Sequence, residues 1–136
     1  MLANVTTPND MKIFLFRNYN LPSWAQSQYE GTIRYKVWEA VRASSAAPGY
    51  YEDFKLDGYL FQDGGIMANN PTCVALHEAK QLWPSFKNNF IIVSIGNGRY
   101  KPNEFAISKT SSISLKQKIN RIISGASSPD TIHHML

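Results

Sequence analysis

Apolar residues along the first half of the chain occur in short runs. These runs are separated by polar segments that contain Pro or Gly. The run MKIFLF at residues 11–16 is short and mostly apolar, which predicts a buried strand. The next segment, RNYNLPSWAQSQYEG at residues 17–31, is rich in Asn, Ser and Gln and contains Pro22, which predicts a loop. The segment YEDFKLDGYLFQ at residues 51–62 predicts a hairpin of two short strands around Asp57-Gly58.

Helical spacing of apolar residues predicts one helix before this hairpin and one after it. The first helix begins after Thr32 as its N-cap and ends by Pro48-Gly49. One side of it carries Ile33, Val37, Val41 and Ser44, with Trp38 beside them. The second helix has Asn70 as its N-cap and Pro71 as its first helical residue. Its apolar side consists of Ala75, Ala79, Leu82 and Trp83.

The segment NFIIVSIGNG at residues 89–98 is a continuous, β-branched apolar run closed by glycines. Such a run predicts a strand that is buried on both faces of a parallel sheet. A basic amphipathic helix follows over residues 114–124. The order helix, hairpin, helix, buried strand, helix predicts an α/β fold in three layers, with a mostly parallel sheet covered on both faces.

Composition limits the classes of protein that fit this fold. The 136 residues suffice for one domain, and a hydrophobic content of 43% is that of a folded globular chain. A formal charge of +4 is weak support for an anionic membrane and for nucleic acid alike, and we expect no nucleic-acid partner. Cys73 is the only cysteine, so no intramolecular disulfide or cysteine metal site can form. We expect an intracellular protein that is soluble or peripheral to membranes, because no signal-peptide pattern and no run of about 20 apolar residues occurs.

The stretch FQDGGIMANNP at residues 61–71 contains the strongest candidate for chemistry. Asp-Gly is a common hairpin turn, so Asp63 could lie at a hairpin tip. However, Asp57-Gly58 already closes one hairpin, and the residues after Asp63 show no strand alternation and lead to a helix start. This favours a loop between a strand and a helix, at the sheet edge where functional groups collect in α/β folds.

Four motifs, RASSAAPGYY, QDGGIMANNP, LHEAKQLWP and IVSIGNGRY, resemble in order and spacing the C-terminal half of a patatin-like phospholipase domain. The resemblance is greatest to the calcium-independent phospholipases A of the gamma type. It runs from FLFRNYN at residue 14 to the SLKQKI helix and so covers nearly the whole chain. The resemblance implies a modified α/β-hydrolase-like fold and a Ser–Asp catalytic dyad.

In this family the dyad aspartate belongs to an Asp-Gly-Gly or Asp-Gly-Ala motif, which matches Asp63, Gly64 and Gly65. A serine hydroxyl becomes nucleophilic when a base accepts its proton, and a carboxylate can take the place of the usual histidine. The glycines would let the backbone turn sharply and let the serine loop approach. Asn69 and Asn70 could support the loop, although helix capping by itself explains Asn70. The resemblance implies a phospholipid or other acyl-ester lipid as substrate and neither metal nor cofactor.

The nucleophile is missing from these residues, because no pair of glycines flanks a serine as in G-x-S-x-G. In the family this elbow and the oxyanion loop precede the matching segment, so residues 1–136 are expected to form a partial domain without the nucleophile half. We therefore expect the chain alone to be inactive. Two functions stay open: the acid/base half of a lipid acyl hydrolase, or a non-catalytic truncated or interaction fragment of the same fold.

Other candidate residues have structural explanations that we prefer. Ser44 and Ser45 fit small residues at a crowded helix end, His77 fits the solvated side of its helix, and Cys73 fits a packed thiol. Gly96 and Gly98 fit a tight turn at a strand end. Adjacent histidines on a helix point in different directions, which argues against metal binding by His133 and His134. Taken alone, Lys116, Lys118 and Arg121 fit a solvated face better than a membrane contact. In the complete enzyme, whose substrate would lie in a bilayer, we nevertheless expect this helix to meet the membrane.

Overall fold

The structure is a computed structural model that describes residues 1–7, 10–86 and 89–96, together with residues 119, 121, 122 and 125. Five strands form one sheet in this part of the chain: β1 (Leu2–Thr7), β2 (Asp10–Phe16), β3 (Glu30–Thr32), β4 (Phe54–Leu56) and β5 (Tyr59–Asp63). The helices are α1 (Val37–Ser44), α2 (Gly65–Ala68) and α3 (Thr72–Leu82), and a 3₁₀ turn spans Pro84–Phe86. None of these described helices is long and apolar enough to cross a membrane.

The sheet has the strand order β3-β2-β1-β5-β4, which places β1 at its centre. Only β2 and β3 pair in parallel; β1 pairs antiparallel with β2 and β5, and β4 pairs antiparallel with β5. The α/β class is confirmed, whereas the prediction of a mostly parallel sheet is wrong for the described strands. Two-residue connections separate β1 from β2 and β4 from β5, and such short connections can join only antiparallel neighbours.

The predicted strand at residues 11–16 and the predicted hairpin are both present. Asp57 and Gly58 adopt φ values of 49° and 81°, as a two-residue hairpin turn requires. Strand β1 has no counterpart among the predicted elements. Its sequence LANVTT has few large apolar residues, and polar Asn4 is buried at the sheet centre.

The core lies between one face of the sheet and α1. Phe14 and Phe61 meet edge to face, with ring centroids 5.1 Å apart, and Phe16 packs 5.4 Å from Phe61. These rings fill the layer, so α1 can approach only with small side chains. Ala40 and Ala43 face the rings and are buried.

The side of the first helix on which the sequence places large apolar residues is therefore not the side that faces the core. Ile33, Val37 and Val41 are exposed, and α1 begins at Val37, four residues after the predicted start. Lys36 precedes the helix, and its backbone N–H donates to the Glu39 carboxylate at 2.7 Å. The spacing of large apolar residues indicated the wrong face, because the aromatic sheet surface accepts alanines instead.

The predicted buried strand over residues 89–98 is also not found in the described residues. The segment 89–96 is irregular, and Ile91 and Ile95 have 95% and 89% of their surface exposed. A strand needs a neighbour for its backbone hydrogen bonds, and no described strand pairs with this segment.

Several predicted features fall on residues outside the described part of the chain. They are Gly98, Lys116, Lys118, His133, His134 and most of the predicted helix over residues 114–124. Within that helix, Ile119, Arg121 and Ile122 are described; all three are helical and exposed.

Candidate active site

Asp63 is the last residue of β5, and α2 begins at Gly65. The prediction of a loop position between a strand and a helix is thus confirmed, and a second hairpin tip is excluded. The side chain is half-buried. Asp63 therefore lies at the carboxyl end of a strand next to the central strand, where a polar group stays accessible while the sheet fixes its backbone.

Three hydrogen bonds hold Asp63 in place. Its backbone N–H donates to the carbonyl of Ala46 at 3.0 Å, and its own carbonyl accepts from Nδ2 of Asn4 at 2.6 Å. The backbone N–H of Gly65 donates to carboxylate oxygen Oδ1 at 2.7 Å. Within the described residues the other oxygen, Oδ2, has no hydrogen bond, so it is the oxygen on which a proton can be accepted.

Gly64 and Gly65 are required for space and not for unusual backbone angles. Gly64 has helical angles, with φ of −57°. A Cβ atom at Gly64 would lie 2.6 Å from the backbone oxygen of Leu2. A Cβ atom at Gly65 would lie 3.0 Å from Oδ1 of Asp63 and 3.3 Å from Oδ1 of Asn69. Neither glycine needs a left-handed backbone conformation, and the close neighbours that the structure shows are β1 and the side chains of Asp63 and Asn69. The approach of a serine loop to this motif stays a prediction.

Asn69 and Asn70 have different positions relative to Asp63. Asn69 shares the space around Gly65 with the Asp63 carboxylate. Asn70 caps α3, because its Oδ1 accepts from the Thr72 backbone N–H at 3.1 Å and from the Thr72 hydroxyl at 2.6 Å. The helix is assigned from Thr72, one residue after the predicted Pro71, with the capping bond where the sequence indicated it.

The alternative nucleophiles take part in helix-end hydrogen bonds. The hydroxyls of Ser44 and Ser45 both donate to the carbonyl of Val41, at 3.2 Å and 2.8 Å. Cys73 is a free, half-buried thiol. Among the described residues, no cluster of His, Cys, Asp and Glu is arranged to hold a metal ion.

His77 differs from its prediction as a solvated side chain. It is half-buried, its Nδ1 lies 2.9 Å from the Tyr29 hydroxyl, and its Nε2 lies 3.3 Å from Nε2 of Gln81. The long loop between β2 and β3 covers this side of α3, which a helical periodicity cannot reveal.

A buried ion pair between β2 and α3 is missing from the sequence predictions. Nε of Arg17 donates to Oε1 of Glu78 at 2.6 Å, and each side chain is only 4% exposed. The hydroxyl of Ser27 donates to the other oxygen of Glu78 at 2.6 Å, and that of Tyr19 donates to Oε1 at 3.2 Å. The only signal in the sequence was a charge directly after the apolar run at residues 11–16.

This network determines the protonation of Glu78. Burial by itself would raise the pKa of the carboxyl, but the hydrogen bonds from Arg17 and Ser27 hold the pKa below its ordinary value. Burial and the nearby Glu78 charge raise the pKa of Tyr19. Glu78 is therefore ionised at neutral pH and ties α3 to the end of β2.

A cavity of about 350 Å³ lies between α3 and the sheet. Its lining is mainly apolar and includes Leu2, Leu15, Val74 and Leu82, with Arg17 and Glu78 among the polar lining residues. Leu2 also contacts Gly64 of the Asp-Gly-Gly motif. Leu2 thus lies between the cavity and the Asp-Gly-Gly motif, and Asp63 itself does not line the cavity.

Comparison with known proteins shows that the chain is similar to several phospholipases. The calcium-independent phospholipase A2-gamma of Oryctolagus cuniculus is 45% identical over 125 residues, which are 92% of this chain and 16% of that protein. Phospholipase A I of Arabidopsis thaliana is 52% identical over 75 residues, which are 55% of this chain and 6% of that protein. The 85/88 kDa calcium-independent phospholipase A2 of Mus musculus is 36% identical over 107 residues, covering 65% and 13% of the two chains.

The chain spans about a sixth of the length of the phospholipase A2-gamma relatives that it matches. No solved structure gives a significant match. The family model described as patatin-like phospholipase matches residues 3–76, which include β1, the core of the sheet and the Asp-Gly-Gly motif. This match covers more than half of the chain, and the chain belongs to the patatin-like phospholipase family.

Proposed function

We propose that this chain supplies the general base of a lipid acyl hydrolase that cleaves fatty-acyl esters of phospholipids. Asp63 is the base of a Ser–Asp dyad, and the serine comes from sequence outside these 136 residues. The reaction uses neither metal nor cofactor. The observation that carries the proposal is the carboxylate at the end of β5, which Gly65 holds through one oxygen while the other has no hydrogen bond from the described residues.

The chemistry assigns one role to each oxygen of the carboxylate. Oδ1 stays bonded to the Gly65 N–H and fixes the plane of the group. Oδ2 accepts the proton of the serine hydroxyl as the serine oxygen attacks the acyl carbonyl. The proton then passes to the departing lysophospholipid oxygen. In the second half-reaction Asp63 takes a proton from water, which attacks the acyl-serine. The proton then passes to the departing serine oxygen, which releases the fatty acid and restores the hydroxyl and the carboxylate.

The apolar cavity supports a lipid substrate. Its mainly apolar lining suits a fatty-acyl chain, and one lining residue, Leu2, contacts Gly64 next to Asp63. The names of the relatives agree, since they are phospholipases. A phospholipid's acyl chains stay in a bilayer, so we propose that the protein is intracellular and touches membrane surfaces peripherally.

The substitution Asp63→Asn in the complete protein tests this function. The amide has the same shape but cannot accept the serine proton, so the hydrolysis rate should fall by two or more orders of magnitude. Stability should change little, because the backbone bonds of Asp63 do not involve the carboxylate. The measurement is fatty-acid release from phospholipid vesicles, alongside a urea unfolding curve.

Asp57→Asn is the matched control. It makes the same chemical change six residues earlier, at an exposed turn position whose φ of 49° suits Asn. The control should keep full activity. A fully active Asp63→Asn protein would refute the dyad and leave the interaction-fragment hypothesis in its place.

A further inference from the structure

We infer that Asn4 is a positioning residue for the Asp63 carboxylate. The inference rests on the proposed role of Asp63 as general base. Asn4 lies on β1, the central strand, where it is paired with Ile13 on β2 and with Gln62 on β5. Its side chain is fully buried, with 0% of its surface exposed. An amide in the middle of a sheet is unusual, because apolar residues normally fill such positions.

In the described part of the chain, the nitrogen of the Asn4 side-chain amide has a hydrogen-bond partner and the oxygen does not. Nδ2 donates to the Asp63 carbonyl at 2.6 Å, and a carbonyl can only accept, so this contact fixes which end of the amide faces Asp63. Oδ1 is buried without a partner among the described residues. A buried, unpaired acceptor lowers stability, because it has given up its hydrogen bonds to water without replacement. Asn4 is thus a poor choice for stability alone, and its value lies in the bond that it does make.

That bond acts on the atoms that hold the carboxylate. The Asp63 carbonyl belongs to the peptide group that leads into Gly64, and the N–H that binds Oδ1 is one peptide further on, at Gly65. The Ala46 carbonyl holds the other side of Asp63 through its N–H. With Asn4 in place, both peptide groups of Asp63 are fixed, and the direction of the carboxylate follows. A misplacement of about 1 Å in a reacting group can cost about 100-fold in rate.

The substitution Asn4→Leu in the complete protein separates positioning from folding. Leu has the same branching at Cγ but neither a donor nor an unpaired acceptor. The free energy of unfolding should therefore change little, because removing the unpaired Oδ1 offsets the loss of the donor to the Asp63 carbonyl. The kcat should fall about tenfold or more as the carboxylate loses its orientation. The KM should stay within about twofold, because Asn4 does not touch the substrate.

Thr6→Val is the matched control. Thr6 lies two residues further along β1 on the same face, and its Oγ1 is also buried without a partner among the described residues. Val has nearly the same shape, and Thr6 makes no bond to Asp63. The control should keep its kcat with equal or greater stability.

The inference is overturned if Asn4→Leu is folded and keeps its kcat, or if Thr6→Val loses kcat equally. Should Asn4→Leu fail to fold, Asn4→Ala carries the same test, because it cannot overpack the site. Asp63→Asn is measured in parallel. If it remains active, the proposed function itself fails; if it is inactive while the Asn4 variants are fully active, only the role of Asn4 fails.

Discussion

A methyl group added at Gly64 would meet the backbone of β1, whereas one added at Gly65 would meet the Asp63 carboxylate itself. We predict that Gly64→Ala lowers the free energy of unfolding by about 1–3 kcal/mol, because the backbone at Leu2 must move to relieve the overlap. Gly65→Ala should leave stability nearly unchanged but reduce kcat, because the methyl displaces Oδ1. Urea unfolding and vesicle hydrolysis measure the two effects separately.

The control for both glycine variants is Gly96→Ala. A Cβ atom there would have no neighbour within 4 Å in the described part of the chain, so neither stability nor kcat should change. Equal losses of stability in Gly64→Ala and Gly96→Ala would contradict the argument from space. An unchanged kcat in Gly65→Ala would show that the carboxylate tolerates a neighbour at this position.

The positions of some site residues could be predicted from the local sequence, whereas the positions of others depend on long-range contacts. Asp63 and Asn70 were predictable because a strand end and a helix cap depend on a few adjacent residues. Asn4 was not, since it is 59 positions from Asp63 along the chain and is brought there only by strand pairing. Arg17 and Glu78 meet across 61 positions and look like ordinary surface charges in the sequence.

At the scale of elements, α3 is held to β2 by the Arg17–Glu78 ion pair, and this attachment should depend on pH. The pKa of Glu78 is lowered in the folded protein from an ordinary value of 4.5, so the folded state favours the ionised carboxylate. The stability that this provides is fully present above the unfolded pKa. It should be lost as the pH falls below about 4.5 toward the lowered folded pKa.

Glu78→Gln should remove this part of the pH dependence. At neutral pH it should also lower the free energy of unfolding by about 3 kcal/mol, because it leaves the buried Arg17 charge without its counter-charge. The control is Glu30→Gln, which breaks the exposed Lys12–Glu30 pair at 3.6 Å. That pair should be worth about 1 kcal/mol or less. Urea unfolding between pH 3 and 7 gives both quantities, and identical curves for the two variants would contradict the assignment.

Elements whose partners are near in sequence were predicted, and those that depend on distant partners were not. The β4–β5 hairpin follows from Asp57-Gly58 and its flanking residues alone. The side of α1 that is buried depends on the aromatic rings opposite it, so the spacing of Val37 and Val41 was misleading. The apolar run at residues 89–96 shows a tendency to be buried in a sheet, but in the described structure no neighbouring strand pairs with it.

At the scale of the whole molecule, the α/β class followed from the order of elements, while the mixed sheet did not. Strand direction depends on connection lengths, and β1 was not identified because of its buried polar residue. The formal charge of +4 is a property of the whole chain and is too small to identify a partner by itself. What can distinguish a membrane contact is where the cations lie relative to apolar residues.

We predict that the segment SLKQKINRII at residues 114–123 contacts the membrane. Helical spacing puts its apolar residues on one side and its cations away from it, and the described Ile119 and Ile122 are exposed. Each cation near an anionic surface contributes about 1 kcal/mol, so Lys116→Glu with Lys118→Glu should weaken binding to anionic vesicles about 30-fold or more. Added salt should weaken vesicle binding by the unmodified protein in the same way.

The control is Lys55→Glu with Lys80→Glu, which makes the same change in charge on β4 and α3 and should weaken vesicle binding much less. If both pairs weaken binding equally, net charge alone governs the contact; if neither does, the apolar side of this helix packs against the protein.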